Sequence, residues 1–311
     1  MKKILLLYGG NSNEHEVSCK SIVNIVNNID EELYKYTIVY ITKENIWYIV
    51  DNKFEKIKEV KNIISYIKKF DCIFDIIHGR DGEDGRLQSL FEIYNVKYVG
   101  CNSASSMLCM DKSLTKLLLE KNNIPFVQYA NLNNISFPVM VKPANGGSSI
   151  GTNKANNEEE LKKSIEEAKK YDSNVIIENY IKGRELECSA IEINNNIYIS
   201  TVGEIKSANE IYDYDSKYNS SKSKTIIPAD LTNDLIIKIK KYALEAFKTL
   251  RCKGFARVDF LYDDKIDKIY VNELNTLPGF TDISMFSKLL NFDGITTKQI
   301  ITILINNSLC N

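Results

Sequence analysis

Apolar and polar positions along the chain switch repeatedly between two periods. Residues 2–10, KKILLLYGG, form a continuous apolar run stopped by two glycines, which predicts a buried strand. Residues 12–29 then place Val17, Ile22, Ile25, Val26 and Ile29 at helical spacing. YKYTIVYIT (34–42), CIFDIIHG (72–79) and VKYVG (96–100) read as strands, and GRLQSLFEIYN (85–95) as a short helix. This alternation predicts an α/β unit of βαβ type over residues 1–101.

A second segment covers 102–183. It holds a helix, MDKSLTKLLLEKNNIP, that Pro125 closes, then the strand FPVMVKP and the loop ANGGSSIG. A charged amphipathic helix (156–172) and the strand NVIIENYI follow. The third segment, 184–311, carries longer runs that look antiparallel: LECSAIEI, IYISTVGEI, KGFARVDFLY and KIYVNELN. Between them lies a polar, tyrosine-rich stretch, 207–225, a candidate lid; Tyr212, Tyr214 and Tyr218 argue against a fully disordered loop.

Composition narrows the chemistry. Lys+Arg is 40 and Asp+Glu is 41, a net charge of −1, so there is no electrostatic footprint for nucleic acid or an anionic membrane surface. No apolar run approaches the ~18 residues of a membrane span, and the apolar start is too short for a signal peptide. His15 and His78 are the two histidines, which excludes a two-histidine zinc helix. The seven cysteines are odd in number and none has C-x-x-C spacing, so they read as reduced thiols of a cytoplasmic protein. Lysines, arginines, carboxylates and backbone groups are left to carry the chemistry, which points to phosphate and Mg²⁺.

Four motifs fit that expectation. The loop 144–152 is glycine-rich but lacks the lysine of a P-loop; Lys142 precedes it instead, and the two together suit a phosphate clamp. A lysine beside proline at a strand edge is the plain alternative. In KGFARVDFLYDDKIDKIYVNELN, period 2 puts Arg257 and Asp259 on one face, and Glu273 and Asn275 on one face of the next strand. A hairpin would gather Asp259, Glu273 and Asn275 as hard oxygen ligands for Mg²⁺ beside Arg257. A solvated hairpin face is the plain alternative there. HGRDGEDGRLQS puts His78 at the end of a strand, and GGNSNEHEVS puts Glu16 in a first helical turn; structural roles would explain either alone. GGNSNE lacks G-x-G-x-x-G, which disfavours a dinucleotide-binding dehydrogenase.

Taken in order, GGNSNEHEVS, HGRDGEDGRLQ, CMDK, KPANGGSSIG, YDYDSKY, ARVDF and NELNTLPGFT resemble the D-alanine–D-alanine ligases of the ATP-grasp fold, from end to end of the chain. The resemblance implies a three-domain α+β architecture with ATP gripped between the second and third domains. It implies that ATP phosphorylates the carboxylate of one D-alanine and that the amine of a second attacks the acylphosphate, in peptidoglycan precursor synthesis.

It also implies roles. Lys112 and Lys142 would hold ATP phosphates, with Ser149 of the glycine loop beside them. Glu178, Asn179 and Ile181 would line the adenine pocket, Glu185 would meet the ribose, and Lys217 the γ-phosphate. Tyr218 would close the lid on Ser148 and Glu16, and Glu16 would bind the first ammonium group near His78. Arg257 and the Gly279 N–H would form the oxyanion site. Asp259, Glu273 and Asn275 would hold two Mg²⁺ ions, with Mn²⁺ as a substitute. Ser284 would bind the second carboxylate and Met285 would suit its methyl group. A homodimer is the expected assembly. The family's GMTSHSL reads GFTDISMF here, so Asp282, Ile283 and Met285 depart from it. A D-alanine–D-serine ligase and a non-catalytic nucleotide-binding regulator stay open as alternatives.

Overall fold

The computed structural model describes residues 1–206, 224–281 and 283–310. β1 (Lys2–Gly9), α1 (His15–Asn28), β2 (Tyr34–Ile41), β3 (Trp47–Val50), β4 (Lys56–Glu59), α2 (Ile63–Ile67), β5 (Cys72–Asp75) and α3 (Arg86–Ile93) build the first unit. Its sheet order is β4-β3-β2-β1-β5. β1 runs parallel to β2 and β5, as the alternation predicts, while β3 and β4 extend the sheet as an antiparallel ribbon. VKYVG is not a full strand: Tyr98 makes a single parallel bridge to Ile73.

α4 (Ser103–Met110) and α5 (Lys112–Lys121) lead into a three-stranded antiparallel sheet. Asp111 caps α5 by accepting from Ser113 N and Leu114 N at 2.9 and 3.1 Å, which fixes where its lysines begin. The sheet order is β7 (Asn153–Ala155), β6 (Val139–Pro143), β8 (Val175–Asn179), with α6 (Glu158–Ala168) between β7 and β8 in the chain.

The third sheet is antiparallel: β12 (Lys224–Ile226), β11 (Gly203–Lys206), β9 (Arg184–Ile193), β13 (Phe255–Asp263) and β14 (Lys268–Asn275), with β10 (Asn196–Ile199) also on β9. The run 197–205 is therefore two strands rather than one. α7 (Asn233–Thr249) covers one face, packing Leu235, Ile239, Ala243 and Phe247 against Leu186, Cys188, Ala190, Ala256 and Val258. The opposite face of β9 and β13 carries Glu185, Glu187, Arg257 and Asp259.

α8 (Met285–Phe292) and α9 (Thr297–Cys310) return to the first unit. Ile300, Ile301, Leu304 and Ile305 of α9 join Ile4, Leu6, Tyr34 and Phe74 in one core. Four fully buried phenylalanines close the junction: Phe280 stands 5.7 Å from both Phe74 and Phe255 and 5.5 Å from Phe286, ring centre to ring centre. Buried aromatic clusters of this kind carry area burial and edge-to-face attraction together. Phe280→Ala is expected to cost about 3–5 kcal/mol in urea unfolding, whereas Phe292→Ala, at a ring 55% exposed, is expected to cost under about 0.5 kcal/mol. Equal costs would mean that the junction is not packed as described.

Candidate active site

Two adjoining cavities of about 280 and 90 Å³ open where the three sheets meet. In β6, burial alternates, so Val139 and Val141 enter the core while Met140 and Lys142 face the larger cavity. Lys142 Nζ lies 2.7 Å from Glu178 Oε2 and donates to Asn272 Oδ1 at 3.2 Å. Lys112 Nζ donates to the Gly146 carbonyl at 2.6 Å and stands 3.9 Å from Glu273. Ser149, Asn179, Ile181 and Glu185 line the same cavity. Burial would raise the Glu178 carboxyl, yet Lys142 and Lys116 hold it below its ordinary value.

The register of the third sheet assembles the charged centre. β13 sets Asp259 opposite Glu273 on β14 and Glu187 on β9. The Arg257 guanidinium forks onto Asp259, with Nε–Oδ1 and Nη2–Oδ2 both 2.7 Å, and its Nε is 3.0 Å from Glu187. Asn275 Nδ2 donates to Asp259 Oδ2 at 2.9 Å. A register shift follows Asp259: Phe260 pairs with Val271, leaving Asn272 as the extra residue. Strict alternation would turn Asn272 away from Glu273; the bulge lets both line the cavity. Asp259, Glu273 and Asn275 are thus gathered on adjacent strands, and as hard oxygen donors they fit Mg²⁺. Among the described residues no cluster of three His, Cys, Asp or Glu side chains is poised for a metal; the expected set is two carboxylates and the Asn275 amide.

The smaller cavity is lined by Glu14, His78, Glu83, Ser148, Glu187, Arg257, Asn275, Gly279, Ser284 and Met285. Here the expectation for Glu16 is corrected. Glu16 points to solvent, 3.5 Å from Lys43, whereas Glu14 is 8% exposed and accepts from Ser148 Oγ at 2.5 Å. Residues two apart at a helix start are about 200° apart around the axis, so only one of the two carboxylates can face inward. Gly79 and Gly147 make room for it: a Cβ on either would stand 2.6 or 3.1 Å from Glu14 Oε2. Ser148 and Ser149 both take the left-handed backbone region, with φ 53° and 58°.

The loop 277–280 is clamped from the first unit. His78 is 2% exposed. Its Nδ1 meets the Leu277 carbonyl at 2.9 Å, so that nitrogen carries the proton; Nε2 then accepts from Ser21 Oγ at 3.0 Å. Ser21 Oγ in turn accepts from Phe280 N at 3.3 Å. Glu83 accepts from Gly79 N and Leu277 N at 2.7 and 3.0 Å, and burial with Glu14 nearby pushes its carboxyl up to about 8. These contacts orient the Gly279 backbone. Ser284 Oγ bonds within its own loop, to Thr281 N at 3.1 Å and Thr281 Oγ1 at 2.7 Å, and Met285 packs with Ile205 and Leu289. Lys217, Tyr218 and the rest of the candidate lid to residue 223 lie outside the described residues, as does Asp282.

Glu14, Lys116, Glu83, Ser21 and Glu187 escaped the sequence reading. Two had a signal: Glu187 shares a strand face with Glu185, and Lys116 lies one helical turn beyond Lys112.

Burial lowers the His78 pKa below its ordinary 6.5. Below pH 6.5 the unfolded chain takes a proton that the folded chain refuses, so His78 contributes stability above that pH and loses it as pH falls. Between about pH 7.5 and 5.5 the wild-type melting temperature should fall more steeply than that of His78→Gln; parallel slopes would refute the buried neutral ring.

Two family models match, one described as D-ala D-ala ligase N-terminus over residues 3–101 and one as D-ala D-ala ligase C-terminus over 112–306. The D-alanine–D-alanine ligase of Acetivibrio thermocellus is 38% identical, covering 98% of this chain and 95% of its own. That of Clostridium acetobutylicum is also 38% identical, covering 98% and 97%. Among solved structures, the VanG D-Ala:D-Ser ligase of Enterococcus faecalis matches with a TM-score of 0.87 at 32% identity over 99% of both chains. The D-alanine–D-alanine ligase of Bacillus anthracis complexed with ATP matches with a TM-score of 0.80 at 28% identity, over 100% of this chain and 98% of that one.

Proposed function

Because the chain belongs to the D-alanine–D-alanine ligase family, we propose that its two adjoining cavities hold ATP and two D-alanines and join the amino acids through an acylphosphate. The protein is an ATP-dependent ligase of the ATP-grasp fold, with a place in peptidoglycan precursor synthesis. The observation that carries the reading is the shared wall: Arg257, Asp259 and Glu187 stand where the larger cavity meets the smaller one.

A bare carboxylate is a poor acyl donor. Transfer of the γ-phosphoryl group to the first D-alanine's carboxylate oxygen makes a mixed anhydride. The second D-alanine's amine then attacks the acyl carbon, phosphate leaves with the C–O bond electrons, and the amine gives up a proton. Lys112 and Lys142 would hold the phosphates, with Ser149 of the glycine loop on the same cavity wall. Glu178, Asn179, Ile181 and Glu185 form the wall for adenosine. Asp259, Glu273 and Asn275 would hold Mg²⁺, which neutralises charge on the transferring phosphoryl group when bound. Arg257 and the Gly279 N–H would stabilise the oxyanion. Glu14, not Glu16, is the carboxylate for the first ammonium group, held by Ser148. Tyr218 and Lys217 keep their expected lid roles as part of the proposal, since acylphosphate must be kept from water.

The division at 1–101, 102–183 and 184–311 is supported by one sheet falling within each segment, with α9 crossing back to the first. No helix of the described residues is long and apolar enough to cross a membrane. All seven cysteines are free, which supports a cytoplasmic setting. A homodimer remains part of the proposal, to be read by light scattering. For the second substrate, Met285 and Ile205 present an apolar wall that suits a methyl group.

Incubation with ATP, Mg²⁺ and an equimolar mixture of D-alanine and D-serine should release phosphate and give D-alanyl-D-alanine as the main product by mass spectrometry. A D-alanyl-D-serine product would move the chain to the specificity of its VanG neighbour, and no D-alanine-stimulated phosphate release would refute the reading. EDTA should abolish turnover and added Mg²⁺ should restore it. Glu14→Gln should lower kcat/KM by about tenfold to a hundredfold, while Glu16→Gln should stay within about twofold. The reverse order would return the ammonium role to Glu16.

A further inference from the structure

α5 carries a second lysine one turn beyond Lys112. Lys116 is 3% exposed and is absent from the lining of either cavity. Its Nζ lies 2.8 Å from Glu178 Oε1 and donates to the Val127 carbonyl. The ammonium also stands 5.1 Å from the Phe126 ring centre and 5.4 Å from that of Tyr129. The other oxygen of Glu178 takes Lys142 at 2.7 Å. One buried carboxylate therefore serves two lysines. Lys116 is fenced in by a carbonyl and two rings; Lys142 reaches into the larger cavity.

As it stands, Lys142 is committed to Glu178 and Asn272. A nucleotide phosphate would compete with that carboxylate for the ammonium, and each shift of Lys142 toward the phosphate weakens its pairing with Glu178. If Lys142 were the sole partner, its departure would strand a buried negative charge, which is strongly unfavourable. Burying an ion pair is tolerated only while the charge stays compensated.

We propose that Lys116 is a positioning residue: it keeps Glu178 compensated and in place, so that Lys142 can exchange between the carboxylate and a nucleotide phosphate. Lys116 itself touches no substrate. The inference rests on the reading that Lys142 holds phosphate, and the variants below separate the two.

Steady-state kinetics in ATP and in D-alanine, with melting temperatures, would be measured for Lys116→Met, Glu178→Gln, the double variant and Lys142→Met. Lys116→Met should raise the KM for ATP by about tenfold and leave the KM for D-alanine within about twofold. In the Glu178→Gln background, where no buried charge is left to compensate, the same change should leave the KM for ATP within about twofold. A lower melting temperature with an unchanged KM for ATP would overturn the proposal and leave Lys116 a structural residue. A tenfold loss in both backgrounds would overturn it too, because the lysine would then act on the nucleotide directly. If Lys116→Met alone does not fold, the comparison within the Glu178→Gln background decides. Lys142→Met with an unchanged KM for ATP would remove the reading of Lys142 itself, whatever Lys116 does.

Discussion

The antiparallel register that seats β13 between β9 and β14 decides where the charges of the site stand. A slip of one residue would turn Arg257 and Asp259 toward α7 and bring Ala256 and Val258 to the cavities. Apolar burial resists that slip: Ala256, Val258 and Phe260 pack with Leu186, Cys188 and Ala190 beneath α7. The core thus fixes the polar face indirectly. With register set, Arg257 lies between Asp259 and Glu187, and Asp259 faces Glu273 across the strand pair. The bulge at Asn272 adds one more polar side chain to the same wall.

Compensation is the rule in the larger cavity and along the wall it shares with the smaller one. Glu178 holds Lys116 and Lys142, Arg257 is flanked by two carboxylates, and Lys112 rests on a loop carbonyl near Glu273. A near-neutral chain can therefore grip a polyanion, because its cations are local and already oriented. Charges held in place before the reaction cost little reorganisation during it.

The substrate end depends on a junction rather than on one sheet. The first unit reaches across with His78, Glu83 and Ser21 to hold the backbone of 277–280, and Asn24 Nδ2 donates to the Phe280 carbonyl at 2.5 Å. Phe280 anchors the same loop in the aromatic cluster. Gly279 is thus aimed by residues 194 to 259 positions away from the loop groups they hold. α9 reinforces the junction by adding its apolar face to the first sheet's core.

Much of this was legible in the order of residues. Apolar runs and their periods located most strands and helices, and Arg257, Asp259, Glu273 and Asn275 follow from period-2 alternation because a strand's faces are a local property. Lys142 and the glycine loop were legible for the same reason. The order of residues misled where two like side chains compete. Glu14 and Glu16 flank one histidine; the sequence reading makes Glu16 the inward carboxylate, and the packing beside the glycine loop turns Glu14 inward instead. The bulge at Asn272, the burial of Lys116 and the seating of His78 on Leu277 each need a neighbour distant in sequence. Local periodicity determines which residues share a face; which face meets which charge is decided by the tertiary structure, because burial and compensation depend on groups the chain brings together only when folded.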